Sequence, residues 1–174
     1  MKRQQGFTLI ELVVVIIILG ILGAVAVAKL TNLSPDAKTA IVLNLAGTIK
    51  SMNSLVYSKS VIAGNEDQQV SDPTNPLSYY VLNSSGERIY INKGYVLAQW
   101  DDALENLLDI DVVYVGDYVG ESDRSKWSYR ALLGGSGGEI TFYPPGEMEE
   151  GSNCKVTYYN TGEDTEIEVE TGDC

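Results

Sequence analysis

The hydrophobic positions of this chain begin with one continuous apolar run, from Leu12 to Ala28. Counted from Phe7, the segment has roughly 22 residues, and as a helix it would span about 33 Å, enough to cross a bilayer. A single acid, Glu11, lies near its start. Lys2 and Arg3 precede the run and, by the positive-inside rule, predict that this end stays in the cytoplasm. We therefore predict a membrane helix here and translocation of the rest of the chain.

The next segment, residues 29–60, repeats apolar side chains at intervals of three or four, which is typical of one face of a helix. The repeating positions are Leu30, Leu33, Ala37, Ile41, Leu45, Ile49, Met52 and Val56. Four intervening polar residues are predicted to face elsewhere: Lys38, Asn44, Lys50 and Asn53. We expect the apolar stripe to pack against the globular part of the same chain. Pro35 is predicted to kink or break the helix, because a proline ring clashes with the carbonyl about one turn earlier.

The remainder, residues 61–174, contains short apolar segments separated by turn residues, which predicts a globular head of antiparallel β-strands. Tyr79–Leu82 and Arg88–Ile91 flank Asn83–Gly86 and predict a β-hairpin. Further strands are predicted at Val112–Val115, Trp127–Leu133 and Glu139–Tyr143. A short helix, capped by Asp101 or Asp102, is predicted through Leu108.

A second hairpin is predicted at the C-terminal end, where apolar residues alternate on both sides of Gly162. These residues are Val156 and Tyr158 before the turn, and Ile167 and Val169 after it. Cys154 opens the first strand and Cys174 lies just beyond the second, so antiparallel pairing would bring the two thiols together. The closed loop of about 20 residues would stabilise the fold by roughly 3 kcal/mol in the chain-entropy model. A lasting disulfide also agrees with export from the cytosol.

The charge of the chain excludes several functions. Among 174 residues there are 24 acids, 12 lysines and arginines and no histidine, which gives a net charge of −12. A nucleic-acid partner is not expected, because its phosphates need a cationic surface. Without histidine there is no Ser-His-Asp or Cys-His nucleophile system and no imidazole metal ligand. Two cysteines are too few for a Cys₄ zinc site.

The charge is also unevenly distributed along the chain. Lys29 to Lys59 contain four lysines and one acid, a net +3, whereas residues 60–174 contain 22 acids and six bases, a net −16. The acidic excess is interpreted as a solvated surface that keeps the protein soluble. A second interpretation is contact between the basic stem of one copy and the acidic body of another.

Three interpretations of the N-terminus compete. It is a secretory signal peptide if it is cut after a small-x-small site, such as Ala24-Val25-Ala26 or Ala26-Val27-Ala28. It is a plain membrane anchor if it is not cut, and a prepilin leader if it is cut after Gly6. Glu11 favours the third, because a carboxylate near the bilayer centre costs on the order of 2.5 kcal/mol. In a signal peptide or a plain anchor nothing would offset that cost. In an assembling helix the carboxylate can pair with a cation from another copy.

The segment Gly6-Phe7-Thr8-Leu9-Ile10-Glu11, followed by the apolar run, resembles the processing and assembly motif of type IV pilins and type II secretion pseudopilins. The resemblance implies that a prepilin peptidase cuts between Gly6 and Phe7 and methylates the new amino group of Phe7. It implies that Glu11 pairs with the Phe7 ammonium of a neighbouring subunit. The expected fold is the α+β pilin fold: a long N-terminal helix, half in the membrane and half amphipathic, packed on an antiparallel head that ends in a disulfide-closed hairpin.

The same resemblance divides the chain into a leader (1–6), an assembly helix (7–28), an amphipathic stem (29–60) and a globular head (61–174). It implies a homopolymer of pilin subunits as the functional form. The implied machinery comprises the prepilin peptidase, an inner-membrane platform with its ATPase, and an outer-membrane secretin. The subunit would wait in the inner membrane with its N-terminus in the cytoplasm and then enter an extracellular pilus.

Shorter motifs in the body look most like the mannose-sensitive haemagglutinin pilins of marine Gram-negative bacteria. These motifs are Leu55–Lys59, Ile91–Tyr95, Trp100 with Ala103-Leu104, and the two-cysteine end. This narrower resemblance implies surface attachment, colonisation and biofilm formation, often through contact with glycans. The alternatives are a type II secretion pseudopilin and, from another class, a secreted enzyme or binding protein with an ordinary signal peptide.

Two further sites have weaker support in the sequence. Five acids fall close together and are candidates for a Ca²⁺ site, although their spacing matches no EF-hand loop: Asp101, Asp102, Glu105, Asp109 and Asp111. A solvated face is the preferred interpretation, and we assign no metal. The tyrosines and the tryptophans Trp100 and Trp127 are candidates for stacking on sugars, although most such rings pack cores.

Overall fold

The computed structural model describes residues 9–31, 33–69, 79–115, 125–134, 137–147, 151–162 and 165–174. For residues 23–31, 33–34, 133–134 and 137 it describes the backbone alone. The chain forms two compact units, Met1–Ala37 and Lys38–Cys174.

Two helices account for the N-terminal part of the chain. α1 covers Leu9–Thr31 and α2 covers Leu33–Ala63. Pro35 lies in the first turn of α2, where its missing N–H removes no intrahelical hydrogen bond. Asn32, between the two helices, lies outside the described residues, so the predicted kink or break stays a prediction.

Eight strands and one 3₁₀-helix form the head. The strands are β1 (Tyr80–Leu82), β2 (Arg88–Asn92), β3 (Tyr95–Val96), β4 (Val112–Tyr114), β5 (Trp127–Gly134), β6 (Gly137–Tyr143), β7 (Cys154–Asn160) and β8 (Thr165–Thr171). They make two sheets, a three-stranded one in the order β1-β2-β3 and a five-stranded one in the order β4-β5-β6-β7-β8.

Both predicted hairpins are confirmed. β1 and β2 pair antiparallel with Val81 opposite Ile89. β7 and β8 pair antiparallel with Val156 opposite Val169, so the alternating apolar residues of the two strands face the same side of the sheet. Gly162 follows β7 with a φ of 78°, a left-handed conformation that glycine adopts without strain.

The prediction of a purely antiparallel head is wrong in one place. β4 pairs with β5 in parallel, with Val112 opposite Trp127. The hydrophobic pattern of a strand indicates which side chains are buried, but the direction of its partner depends on the path of the intervening chain. The short strand β3 was not predicted, because two residues are too few to show a period.

The predicted capped helix is instead a single 3₁₀ turn, Leu104–Asn106. No aspartate side chain caps it, because Ala103 occupies the N-cap position and makes no side-chain hydrogen bond. Glu105 instead turns back on the preceding residues, since its Oε1 accepts from the backbone N–H of Asp102 at 2.6 Å. Asp102 itself has a φ of 59°, so the aspartates form the turn that precedes the helix.

α2 packs on the head through a face that contains Leu45, Ile49 and Val56 of the predicted stripe, and Met52 packs against the same core, so this part of the stripe is confirmed. The buried residues of α2 are Val42, Leu45, Ala46, Ile49, Asn53, Val56 and Ser60, and their apolar members belong to one core together with residues of both sheets. Ile41, assigned to the stripe, is 38% exposed, whereas Asn53, predicted to face elsewhere, is 6% exposed. The assignment of Asn53 failed because its polarity was taken as a sign of exposure, although it has buried hydrogen-bond partners.

Candidate assembly site

The first part of α1 is an apolar surface that the described residues leave exposed. Between Leu9 and Leu22, every large apolar side chain is between 38% and 80% exposed. A Cβ added to Gly20 would meet nothing within 4 Å. Exposed apolar area of this extent marks a surface that contacts lipid or another protein.

Glu11 lies in the first turn of α1, among these apolar side chains. The N-terminal end of a helix dipole stabilises a carboxylate, so the position is favourable for a charge. Gly6 and Phe7, where cleavage and methylation are predicted, lie outside the described residues. Their roles, and the pairing of Glu11 with another subunit, stay predictions.

Within the described part of the chain, no helix has both the length and the hydropathy of a membrane span.

Asn53 connects α2 to both sheets through a buried network of hydrogen bonds. Its Oδ1 accepts from the backbone N–H of Val96 at 3.1 Å and lies 3.2 Å from the Tyr158 hydroxyl. The Tyr158 hydroxyl also donates to the Val96 carbonyl at 2.6 Å, and Asn160 Nδ2 donates to the same carbonyl at 2.9 Å. These hydrogen bonds hold α2 against both sheets of the head.

Burial raises the pKa of Tyr158 well above its ordinary range, and hydrogen bonding with Asn53 and Asn160 opposes the shift only in part. The side chain is fully buried. An ionised phenol is therefore strongly disfavoured in the folded head.

A second connection joins α2 to the loop before the C-terminal hairpin. Lys38 Nζ donates to Glu147 Oε1 at 2.6 Å, and Ser152 Oγ donates to the other oxygen of that carboxylate at 3.4 Å. The backbone N–H of Cys154 donates to Ser152 Oγ at 3.2 Å. The loop before β7 is thereby tied to α2.

The predicted disulfide is present. Cys154 and Cys174 are bonded with their Cα atoms 4.8 Å apart, and Cys154 is fully buried in the core. A further pair of hydrogen bonds, from the backbone N–H and from Nδ2 of Asn153 to Asp173 Oδ2, closes the same end of the hairpin.

The candidate calcium ligands do not form a cluster. Asp101, Asp102, Glu105, Asp109 and Asp111 are all exposed. Among the described residues there is no group of three or more His, Cys, Asp or Glu placed to hold a metal ion. The Glu105 carboxylate is already used by the backbone of Asp102.

The aromatic side chains mostly pack on one another. The Trp100 ring lies 5.6 Å from that of Tyr129 and 6.0 Å from that of Phe142, which is fully buried. Tyr114 stands edge-on to Tyr129 at 5.5 Å and is 40% exposed. Trp100 is therefore half-buried against the core instead of presenting a free face.

Sequence reasoning missed Asn53, Asn160 and Glu147 as residues that hold the head together. The only local signal was that Asn53 lies four residues after Ile49, at a core position of the helical repeat. For Asn160 and Glu147 no such signal exists, because their partners lie 64 and 109 residues away along the chain.

Comparison with known proteins confirms the predicted resemblance of the N-terminus. Residues 1–27 match the prokaryotic N-terminal methylation motif. The chain is similar to the type IV narrow pilus major component PilA5 of Thermus thermophilus, with 37% identity over 71 residues. That match covers 41% of this chain and 61% of the relative. No solved structure matches the chain.

Proposed function

We propose that this chain, whose first 27 residues carry the prokaryotic N-terminal methylation motif and which is similar to a type IV pilin, is a structural subunit of a type IV pilus. The observation that carries the proposal is the exposed apolar surface of α1 with one carboxylate, Glu11, in its first turn. The described part of α1 uses this surface for no contact that would bury it. A filament made by bundling such helices would bury it in every copy.

Glu11 would set the register between copies. Cleavage after Gly6 creates a new ammonium group on Phe7, four residues before the carboxylate. In an apolar bundle, each of these charges is costly without a partner, and pairing between copies removes both costs at once. A single ion pair in an apolar seam also excludes bundles that are shifted along the helix axis.

The finer aspects of the proposal follow from the resemblance. The subunit is held in the inner membrane by residues 7–28, with its N-terminus in the cytoplasm, until an assembly platform and ATPase add it to the filament. The filament then leaves through a secretin. The motifs shared with mannose-sensitive haemagglutinin pilins support a role in adhesion, colonisation and biofilm formation, with glycans among the surfaces contacted.

Two measurements test the proposal in cells that produce the full chain. Mass spectrometry of the mature protein should find an N-terminus at methylated Phe7. A start at Val27 or Lys29 would instead support ordinary secretion of an enzyme or binding protein. Electron microscopy should find surface fibres that disappear when the gene is deleted. If the cells carry no surface fibres but lose type II secretion when the gene is deleted, the chain is better described as a pseudopilin.

The charge itself is tested by Glu11→Gln, which keeps size and polarity. We expect this variant to be produced and cleaved but to leave the sheared fibre fraction nearly empty. Asp36→Asn is the matched control, because Asp36 is also an exposed acid in the first turn of a helix. Equal fibre yield from Glu11→Gln and wild type would refute the role given to Glu11.

A further inference from the structure

A second apolar surface lies at the C-terminal end of α2. Leu55, Lys59 and Ile62 share one face of the helix, and Tyr80 and Leu82 lie beside them on β1; we name these five residues the stem-end patch. Ile62 is 87% exposed, Leu55 67% and Leu82 51%. A groove of about 330 Å³ runs between the helix end and the strand. All five residues belong to the second unit, Lys38–Cys174.

The stem-end patch contains one cation, Lys59, and a second cation, Arg88, lies beside it. Lys59 Nζ donates to the Leu82 carbonyl at 2.8 Å, and the Arg88 guanidinium lies 4.8 Å from the centre of the Tyr80 ring. The Leu82 carbonyl is therefore occupied at the outer edge of β1, as is the Tyr80 carbonyl, which accepts from Asn65 Nδ2 at 3.4 Å. These contacts use the outward carbonyls of β1 and disfavour an added strand, so the proposed partner binds through side chains. The patch fits an apolar surface bordered by acids.

The head carries such a surface on its five-stranded sheet. Leu132, Glu139, Tyr159 and Glu166 stand directly opposite one another on β5, β6, β7 and β8, so they form one row across one face of the sheet; we name it the sheet-face row. Leu132 is 50% exposed and provides the apolar end of the row. The pKa of Tyr159 is raised by partial burial and by the nearby carboxylates, Glu168 first among them.

The two surfaces face different directions. Tyr158, which precedes Tyr159 on β7, projects from the opposite face of the sheet and contacts Asn53 of α2. The side chains of the sheet-face row therefore project from the face opposite the one that contacts Asn53, although Glu166, on the edge strand β8, also lines a cavity of about 510 Å³ with residues of α2. The stem-end patch lies on α2 and β1. Two complementary surfaces at different places on one molecule give a head-to-tail contact, which extends into an open filament unless the rotation between copies closes a ring.

We propose that the stem-end patch of one subunit docks on the sheet-face row of a second copy of this chain. Lys59 and Arg88 then face Glu139 and Glu166, and Leu132 covers the apolar groove. The charges of the two surfaces are opposite, and such complementarity steers the correct partner and excludes like-charged alternatives. The inference rests on the proposed function, because it describes how the heads of neighbouring pilus subunits meet.

Cross-linking tests the contact without disturbing its charges. The chain has only two cysteines, both in the native disulfide, so the double variant Ile62→Cys with Leu132→Cys introduces the only free thiols. Mild oxidation of sheared fibres should produce a ladder of dimers and higher oligomers of this chain. Fibres carrying Ile62→Cys with Asp109→Cys, an exposed position away from the row, should produce none.

Charge reversal provides the second test. Glu166→Arg should lower fibre yield at least about tenfold, because it sets like charges against Arg88. Adding Arg88→Glu to the same chain should restore most of the yield, which a mere folding defect would not allow. Asp109→Arg makes the same change of charge outside the row and should assemble like wild type.

The outcomes separate this inference from the proposed function. If the wild-type chain forms no fibres, the proposed function fails. If Glu11→Gln and wild type form equal amounts, only the role given to Glu11 is refuted. If Glu11→Gln fibres are lost but the cysteine pair gives no ladder and Glu166→Arg assembles normally, the docking proposal is overturned and the pilus role stands. A cross-link from the thiol of the Ile62→Cys variant to a different protein would also overturn it.

Discussion

The network around Asn53 predicts a specific order of stability among variants. In Tyr158→Phe, the hydroxyl that donates to the Val96 carbonyl is lost, but that carbonyl still accepts from Asn160 Nδ2. No buried group loses its last partner, so the expected cost is that of one net hydrogen bond, about 1 kcal/mol. In Asn53→Ala, the backbone N–H of Val96 loses its acceptor inside the core.

The cost of Asn53→Ala should therefore be larger. A buried N–H without an acceptor costs about 1–3 kcal/mol, and the Tyr158 hydroxyl loses one of its two nearby oxygens in addition. We expect a total of about 2–4 kcal/mol, which is a large share of the stability of a small domain. Both substitutions disrupt the same network. They differ in stability because only Asn53→Ala leaves a buried group, the Val96 N–H, without a hydrogen-bond partner.

Urea unfolding of the full chain in detergent micelles measures this order. Trp100 and Trp127 both lie in the second unit, so their fluorescence follows the unfolding of the head. Tyr114→Phe is the control for loss of a hydroxyl, because Tyr114 is 40% exposed and its substitution should change stability by less than about 0.5 kcal/mol. A loss from Tyr158→Phe equal to that from Asn53→Ala would refute the reasoning.

Three other predictions follow from the head. Folding raises the pKa of Tyr158, so above pH about 10 only the unfolded chain ionises this group, and the free energy of unfolding should fall as the pH rises. The fall should be less steep in Tyr158→Phe. Urea titrations that show the same dependence on alkaline pH for both chains would contradict this. The Cys154–Cys174 disulfide closes a loop with a sequence separation of 20 residues. Replacing both cysteines by alanine should therefore lower the free energy of unfolding by about 3 kcal/mol, measured from the shift of the urea midpoint. Both Gly94 and Gly86 have a positive φ, but only at Gly94 would a new Cβ lie 2.8 Å from a side-chain atom, Ser60 Oγ. Gly94→Ala should therefore lower the thermal unfolding midpoint more than Gly86→Ala. Equal midpoints would argue against that contact.

Several features of this protein could be predicted from local sequence because each depends on residues close together in the chain. The apolar run with Glu11 and the preceding Gly6 is enough to identify the N-terminal motif. The hairpin of β7 and β8 follows from alternation on both sides of Gly162. The pairing of Cys154 with Cys174 then follows from that hairpin, since the two strands bring their ends together.

Other features depended on contacts between distant segments. Sequence alone assigned Asn53 to the solvent, because an asparagine in a helix is exposed unless something else satisfies its amide. Its partners are Val96 and Tyr158, which lie 43 and 105 residues away. The parallel pairing of β4 with β5, and the ion pair of Lys38 with Glu147, likewise required the folded chain.

The physical difference is one of range. A periodic pattern indicates which side of a helix or strand is buried. A charge within an apolar run indicates that it needs a partner. Both signals come from residues close together in the sequence. Which polar group meets which, and in what direction two strands run, depends on how the whole chain closes around its core. For this protein, sequence determined most of the elements and the N-terminal motif, whereas only the tertiary structure brought the stem-end patch and the sheet-face row to separate surfaces of one head.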